Sequence, residues 1–170
     1  VVNYSMLLAL THNEYVNKLI VADIAPVNYP IEKQNIANKL LDLNLDMIKS
    51  RNEADELLSS SIKEKFIRSF LIQNLHLHEN KYRWSINLLA IKEAMNNLRS
   101  FPFPKKVEVV NNKTLCVYGQ NSDYVSNENF QIFKNFFSNI SFSEIKNAGH
   151  YLHVEQPKEF YNTVRNFLIN

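Results

Sequence analysis

The stretch Leu19-Ile-Val-Ala-Asp23 is nearly continuous in apolar side chains and ends on a carboxylate. A run of this length and kind is expected of a parallel strand buried on both faces, which would end at Asp23. The following Ile24-Ala-Pro26 and Val27-Asn-Tyr-Pro30 read as an extended loop. Proline pushes the residue before it out of the helical region. Upstream, residues 1–12 read as a largely buried helix with no N-cap signal, so the chain is expected to begin inside an element.

Downstream, the apolar spacing is helical from Ile31 to about Asn97, through Ile36, Leu40, Leu43 and Met47 and then Ile62, Phe66, Phe70 and Ile72. No convincing strand stands out there, and the segment reads as a helical insertion. A helix from about Ile86 to Leu98 should stop at Phe101-Pro-Phe-Pro104. Strands are expected at Thr114 to Tyr118 and Ile140 to Ile145, a helix between them near Asn129 to Phe137, and a last helix from about Pro157 to Leu168. This rhythm predicts an α/β fold with a parallel sheet. The division is a core of residues 1–30 and 98–170 and an insertion of residues 31–97. Three parallel strands leave an apolar edge unpaired, so their missing neighbours are expected upstream.

The 170 residues suffice for one domain with a real core. Net charge is +2, with lysines and arginines scattered among nearly as many acids, which argues against a nucleic-acid partner. No run approaches the roughly 20 apolar residues of a membrane span. Cys116 is the single cysteine, which excludes an internal disulfide and favours an intracellular setting. Its apolar surroundings, Thr114-Leu-Cys-Val-Tyr118, predict an inert core thiol. Glycine occurs twice, at Gly119 and Gly149, and each is expected to have a steric reason. Asparagine is expected to fill turns instead, as at Asn111-Asn112 and Asn127-Glu-Asn129.

The segment Asn147-Ala-Gly-His150-Tyr-Leu-His153-Val-Glu-Gln-Pro157 places His150 on a loop at the carboxyl end of the sheet, where open α/β folds hold their ligands. Gly149 is expected to let the backbone turn the imidazole into the cleft. From this loop alone a turn histidine without a role is equally good. His76 and His78 alternate with Leu75 and Leu77, as on a solvated face, and no companion ligands suggest a metal site.

Five blocks then carry a resemblance: Met6-Leu-Leu-Ala-Leu-Thr-His, Leu19-Ile-Val-Ala-Asp-Ile-Ala-Pro26, Tyr82-Arg-Trp-Ser-Ile-Asn-Leu88, Gly119-Gln-Asn-Ser-Asp-Tyr-Val125 and Ala148-Gly-His-Tyr-Leu-His-Val-Glu-Gln-Pro157. Their order resembles that of the α/β-hydrolase serine esterases, in the branch of small acyl esterases with a helical cap and Asp-Ile-Ala-Pro and Ala-Gly-His blocks. The resemblance implies the carboxy-terminal part of the α/β-hydrolase fold, with residues 31–97 as the cap and the amino-terminal strands missing. It also implies hydrolysis of a small-molecule carboxylic ester or thioester through an acyl-enzyme, without a cofactor. His150, directly after Ala-Gly, would be the base and His153 structural.

The family's acid comes from more than one place, so Asp23 and Asp123 remain alternatives, with Asp23 favoured and Ser122 standing where an acid is common. Phe70, Leu75 and Trp84 would wall an acyl pocket, although core packing is the commoner fate of such residues. The family's nucleophile sits in a Gly-x-Ser-x-Gly elbow before a helix, and no such elbow occurs in this sequence. Tyr4-Ser5-Met6 imitates its middle. Ser5 would leave about seven helical residues, roughly 10 Å of rise, before Leu19, against the ~17 Å of a typical strand. Ser5 is therefore expected inside a helix, with the nucleophile just before Val1 and Val1-Val2 in place of its glycines. The alternative is a non-catalytic hydrolase-like module or an incomplete gene product without its own activity.

Overall fold

The computed structural model describes residues 3–30 and 36–170. In chain order the elements are α1 (Asn3–Thr11), β1 (Lys18–Ala22), α2 (Ile36–Leu41), α3 (Arg51–Leu58), α4 (Lys65–Ile72), β2 (Leu75–His78), β3 (Lys81–Trp84), α5 (Leu88–Glu93), α6 (Met95–Arg99), β4 (Lys113–Gly119), α7 (Asn127–Phe136), β5 (Ile140–Ile145), α8 (Leu152–Glu155) and α9 (Pro157–Ile169). They form two compact units, residues 1–28 with 100–170 and residues 29–99. Val1-Val2, expected in place of the elbow's glycines, and Ile31, where the insertion is expected to begin, lie outside the described residues.

The first unit is built on a sheet of order β1-β4-β5 with both pairings parallel. Val21 is in register with Cys116, and Gly119 with Ile145. Strand alternation then sorts side chains onto two faces. Leu19, Val21 and Cys116 pack with Met6, Ala9 and Leu10 of α1 and with Phe133 of α7. On the opposite face Leu115, Val117 and Ile145 pack with Leu152 of α8 and Phe167 of α9. Helices therefore cover both faces, and β4 is the buried centre of the sheet.

The expectation that β1 is buried on both faces is corrected. Leu19 and Val21 are buried, but Ile20 is half-buried and Ala22 exposed. Among the described residues β1 pairs with β4 alone, and an edge strand has less to cover it.

The second unit departs from the all-helical expectation. Leu75–His78 and Lys81–Trp84 pair antiparallel, with His78 opposite Lys81. The two intervening residues, Glu79 and Asn80, have φ of 48° and 62°, the backbone of a tight hairpin turn. The alternation of Leu75-His76-Leu77-His78 was the trace of this hairpin, but each strand has only four residues, the shortest run on which alternation speaks for a strand, and helical spacing surrounds them. The helix expected from Ile86 is also two pieces, α5 and α6; Asn87 caps the first by accepting from the Ala90 amide at 3.0 Å. This unit has its own core of Leu40, Leu58, Ile72, Leu75 and Leu88. Beside it, the buried Arg68 donates to Asp55 at 2.9 Å and to the carbonyls of Ile62 and Lys63. That hydrogen bond from Arg68 holds the Asp55 carboxyl below its ordinary range.

Asparagine is divided between two uses. Asn80 and Asn147 have positive φ, as turn residues should. Asn129 instead lies in the first turn of α7, where its Oδ1 accepts from the Ser126 amide at 2.8 Å.

Candidate active site

Because β1, β4 and β5 run parallel, the loops that follow them emerge at one end of the sheet. Asp23 directly follows β1, Ser122 lies three residues past β4, and His150 lies five past β5. Asp23 has φ of 49°, a left-handed conformation that costs a non-glycine residue about 1–2 kcal/mol. Its amide donates to the Val117 carbonyl at 2.7 Å, tying this turn to the central strand.

The Asp23 side chain is withdrawn from solvent, and a buried carboxylate must be well supplied with donors. Three reach it. The Gly119 amide donates to Oδ1 at 3.1 Å, the Ser122 hydroxyl donates to Oδ2, and His150 Nδ1 meets the same Oδ2 at 2.8 Å. An ionised carboxylate only accepts, which places the imidazole proton on Nδ1 and leaves Nε2 to take up a proton. The Tyr124 ring stacks on the imidazole at 4.0 Å between centroids with 20° between planes, and the Tyr151 ring meets it edge-on at 5.5 Å. Burial, with Tyr124 adding to it, pushes the Tyr151 hydroxyl above its ordinary pKa.

Both glycines have steric roles, but the role expected of Gly149 is corrected. Neither has positive φ; the turn into the loop is made at Asn147, with φ of 55°. A Cβ on Gly119 would lie 2.3 Å from the Gly149 carbonyl oxygen and 2.5 Å from that of Ala148. The end of β4 is thus pressed against the His150 loop, and only glycine permits that approach. A Cβ on Gly149 would instead come within 3.2 Å of Glu155 Oε1.

Of the two candidate acids, the structure brings Asp23 to His150, while Asp123 is exposed. His153 is exposed on α8, its ring 6.2 Å from that of Phe160. Ser5 is an exposed residue within α1. Cys116 is fully buried, and burial, reinforced by Asp23, pushes its thiol up to about 12. Leu75 is spent entirely on the core of the second unit and has no surface left for a ligand, which corrects the expectation that it walls a pocket. Trp84 packs half-buried on that core, and Phe70 is 55% exposed. His76 and His78 are both exposed, as is Leu77 between them. Among the described residues no three metal-ligating side chains gather, and no helix is long and apolar enough to cross a membrane.

Sequence reasoning did not assign Ser122, Tyr124 or Glu155 to the site. Ser122 carried a signal, since it occupies a position where an acid is common and so had to face the same partners. Tyr124 and Glu155 carried none that periodicity could read.

No family model matches the chain. Over 170 residues it is 31% identical to the sn-1-specific diacylglycerol lipase ABHD11 of Mus musculus, covering 96% of this chain and 55% of that protein. It is 23% identical to the esterase YbfF of Escherichia coli over 164 residues, covering 96% of this chain and 62% of that protein. The chain thus spans roughly half to two-thirds of the length of these curated relatives. Among solved structures, a marine microorganism esterase superposes with a TM-score of 0.88 at 31% identity, covering 98% of this chain and 66% of that one. A thioesterase domain from the curacin biosynthetic pathway superposes at 0.62 with 18% identity, which bears on the fold alone. Parallel strands flanked by helices, and relatives named as esterases and lipases, together identify the architecture of this chain as that of the α/β-hydrolase fold.

Proposed function

We propose that the chain contributes the acid–base part of a serine hydrolase that cleaves small carboxylic esters or thioesters through an acyl-enzyme. The observation that carries this reading is the contact of His150 Nδ1 with the buried Asp23 carboxylate at the carboxyl end of the sheet. In this arrangement His150 Nε2 takes the proton of an attacking serine hydroxyl, and the carbonyl carbon becomes tetrahedral. Asp23 holds the tautomer and stabilises the imidazolium without itself taking the proton. His150 then protonates the leaving alcohol or thiol, and water releases the acyl group by the same steps in reverse.

The serine must come from a Gly-x-Ser-x-Gly elbow, whose backbone amides also supply part of the oxyanion hole. No such elbow occurs among the 170 residues, so these residues should be inactive alone. The same observation favours a second reading, a non-catalytic module with a hydrolase architecture. In the first reading Phe70 and Trp84 of the second unit are the side chains left for acyl contacts, Phe70 being 55% exposed and Trp84 half-buried. Leu75 stiffens that unit from within.

The test is turnover of nitrophenyl esters by the protein joined to an elbow-bearing segment. His150→Ala should lower kcat by several powers of ten, on the order of triad dismantling in other enzymes. His153→Ala should cost less than about tenfold, because that ring is exposed and packs on Phe160. Equal losses at the two positions would remove the case for His150 as the base, and an inert but folded protein would favour the non-catalytic reading.

A further inference from the structure

The loop bearing His150 is gripped from two sides. Upstream, it is fixed to the exit of β4: Asn121 donates its amide to the Ala148 carbonyl at 2.9 Å, and Asn147 donates its amide to Gln120 Oε1 at 3.1 Å. Downstream, one side chain does the holding. Glu155 Oε2 accepts from the Gly149 amide at 2.8 Å, and Glu155 Oε1 accepts from the Tyr151 amide at 3.0 Å. The Glu155 amide in turn donates to the Tyr151 carbonyl at 2.9 Å. The two amides held by this carboxylate bracket the backbone of His150. Gly149 has no Cβ where that carboxylate needs the space.

We infer that Glu155 is a positioning residue for His150, its two carboxylate oxygens clamping the amides on either side of the histidine so that Nδ1 is presented to Asp23. The chemistry requires two acceptors on one planar group. The amides of Gly149 and Tyr151 converge on it, and only an ionised carboxylate offers an acceptor to each without a competing proton. A glutamine would accept one amide and turn its own NH2 toward the other. An aspartate carries the same carboxylate one methylene shorter, which draws it back from both amides. Holding a base to its partner within a fraction of an ångström is worth a large factor in rate, since misplacement by about 1 Å can cost on the order of 100-fold. The clamp matters for catalysis only if His150 is the base, so its catalytic meaning rests on the function proposed above.

The imidazole nitrogens of His150 report the clamp without any need for turnover. In the 170-residue chain, labelled with 15N at histidine and at backbone amides, the unaltered protein should show the neutral form of His150 as the Nδ1-protonated tautomer, with slow amide exchange at Gly149 and Tyr151. Glu155→Gln should give a mixture of tautomers and speed exchange at one or both amides by tenfold or more. Glu155→Asp should do the same while keeping the charge. His153→Ala and Glu159→Gln, which alter neighbouring exposed side chains, should leave both signals in place.

A folded Glu155→Gln protein with an unchanged tautomer and unchanged exchange would overturn the inference. So would global unfolding of both Glu155 variants, which would assign the carboxylate to the fold at large. In the elbow-bearing protein, the clamp predicts a kcat loss of about tenfold or more in Glu155→Gln with KM within about twofold. If tautomer order is lost but no form of that protein hydrolyses esters, the clamp stands and the esterase reading fails. If the tautomer is unmoved while His150→Ala abolishes turnover, the esterase reading stands and the clamp fails.

Discussion

His150 meets Asp23 from a loop pressed against the end of β4, and two glycines make room for that loop. Gly119 is the sharper case: the two atoms nearest a new Cβ are carbonyl oxygens of the His150 loop, at 2.3 and 2.5 Å, and backbone cannot swing aside. Gly119→Ala should therefore displace that loop and weaken the His150–Asp23 contact, visible as a changed His150 tautomer and a lower unfolding midpoint. Gly149→Ala meets Glu155 Oε1 at 3.2 Å, which requires that carboxylate to shift by only a few tenths of an ångström, and should be the milder change by both measurements. An alanine at 119 that left the imidazole signals untouched would contradict the crowding argument. Cys116 gives a prediction of the opposite kind. With its thiol raised to about 12 and no exposed surface, it should stay unlabelled by a disulfide reagent at pH 8 and react fully once the chain is unfolded.

The hairpin of β2 and β3 was the element that the sequence concealed, and its turn is chemically suboptimal. Glu79 and Asn80 occupy left-handed conformations in a two-residue turn, for which Asn-Gly is the preferred pair. Asn80→Gly should stabilise the second unit by up to about 0.5 kcal/mol, partly offset by the greater freedom of glycine in the unfolded chain. Glu79→Asn places a residue more tolerant of positive φ at the first position and should add a similar increment. A rise in the urea midpoint at unchanged slope is the expected result; a fall in both variants would mean that Glu79 or Asn80 makes contacts worth more than the backbone preference.

On the scale of the molecule, β1 of the first unit is paired on one side only among the described residues, with Tyr4, Leu8, Tyr15, Leu168 and Ile169 exposed among the elements of that unit. The same unit holds Asp23 and His150 together, so an acid–base pair exists in it without a serine bonded to the imidazole among the described residues. Ser5 is exposed on α1, and the Ser122 hydroxyl donates to Asp23. A serine becomes reactive to phosphonate probes when a base takes its proton and an oxyanion hole receives the developing charge. The 170-residue chain should accordingly resist stoichiometric phosphonate labelling and hydrolyse nitrophenyl esters no faster than its His150→Ala variant. Labelling at Ser5 would overturn the assignment of that residue to a helix surface and the search for the nucleophile elsewhere.

The parallel sheet was legible because its determinants are local. Leu19 to Asp23 and Thr114 to Tyr118 are short apolar runs, Ile140 to Ile145 intersperses apolar with polar residues, and helical segments lie between; these strands pair in the order β1-β4-β5. His150 could be picked out because Ala-Gly-His lies between the last strand and the last helix. The sequence left the acid open between Asp23 and Asp123, because which carboxylate reaches the imidazole depends on strand register and not on spacing along the chain: Asp23, 127 residues away, is the one that meets it. Only the tertiary structure put Asp23 beneath Gly119, Ser122 and His150. It also gave Glu155 to the amides of Gly149 and Tyr151, and Leu75 to a core rather than a ligand surface. A side chain's partners are fixed by where the backbone turns, and at Asp23, Asn147 and the Glu79-Asn80 hairpin those turns use positive φ angles that no hydrophobic period records.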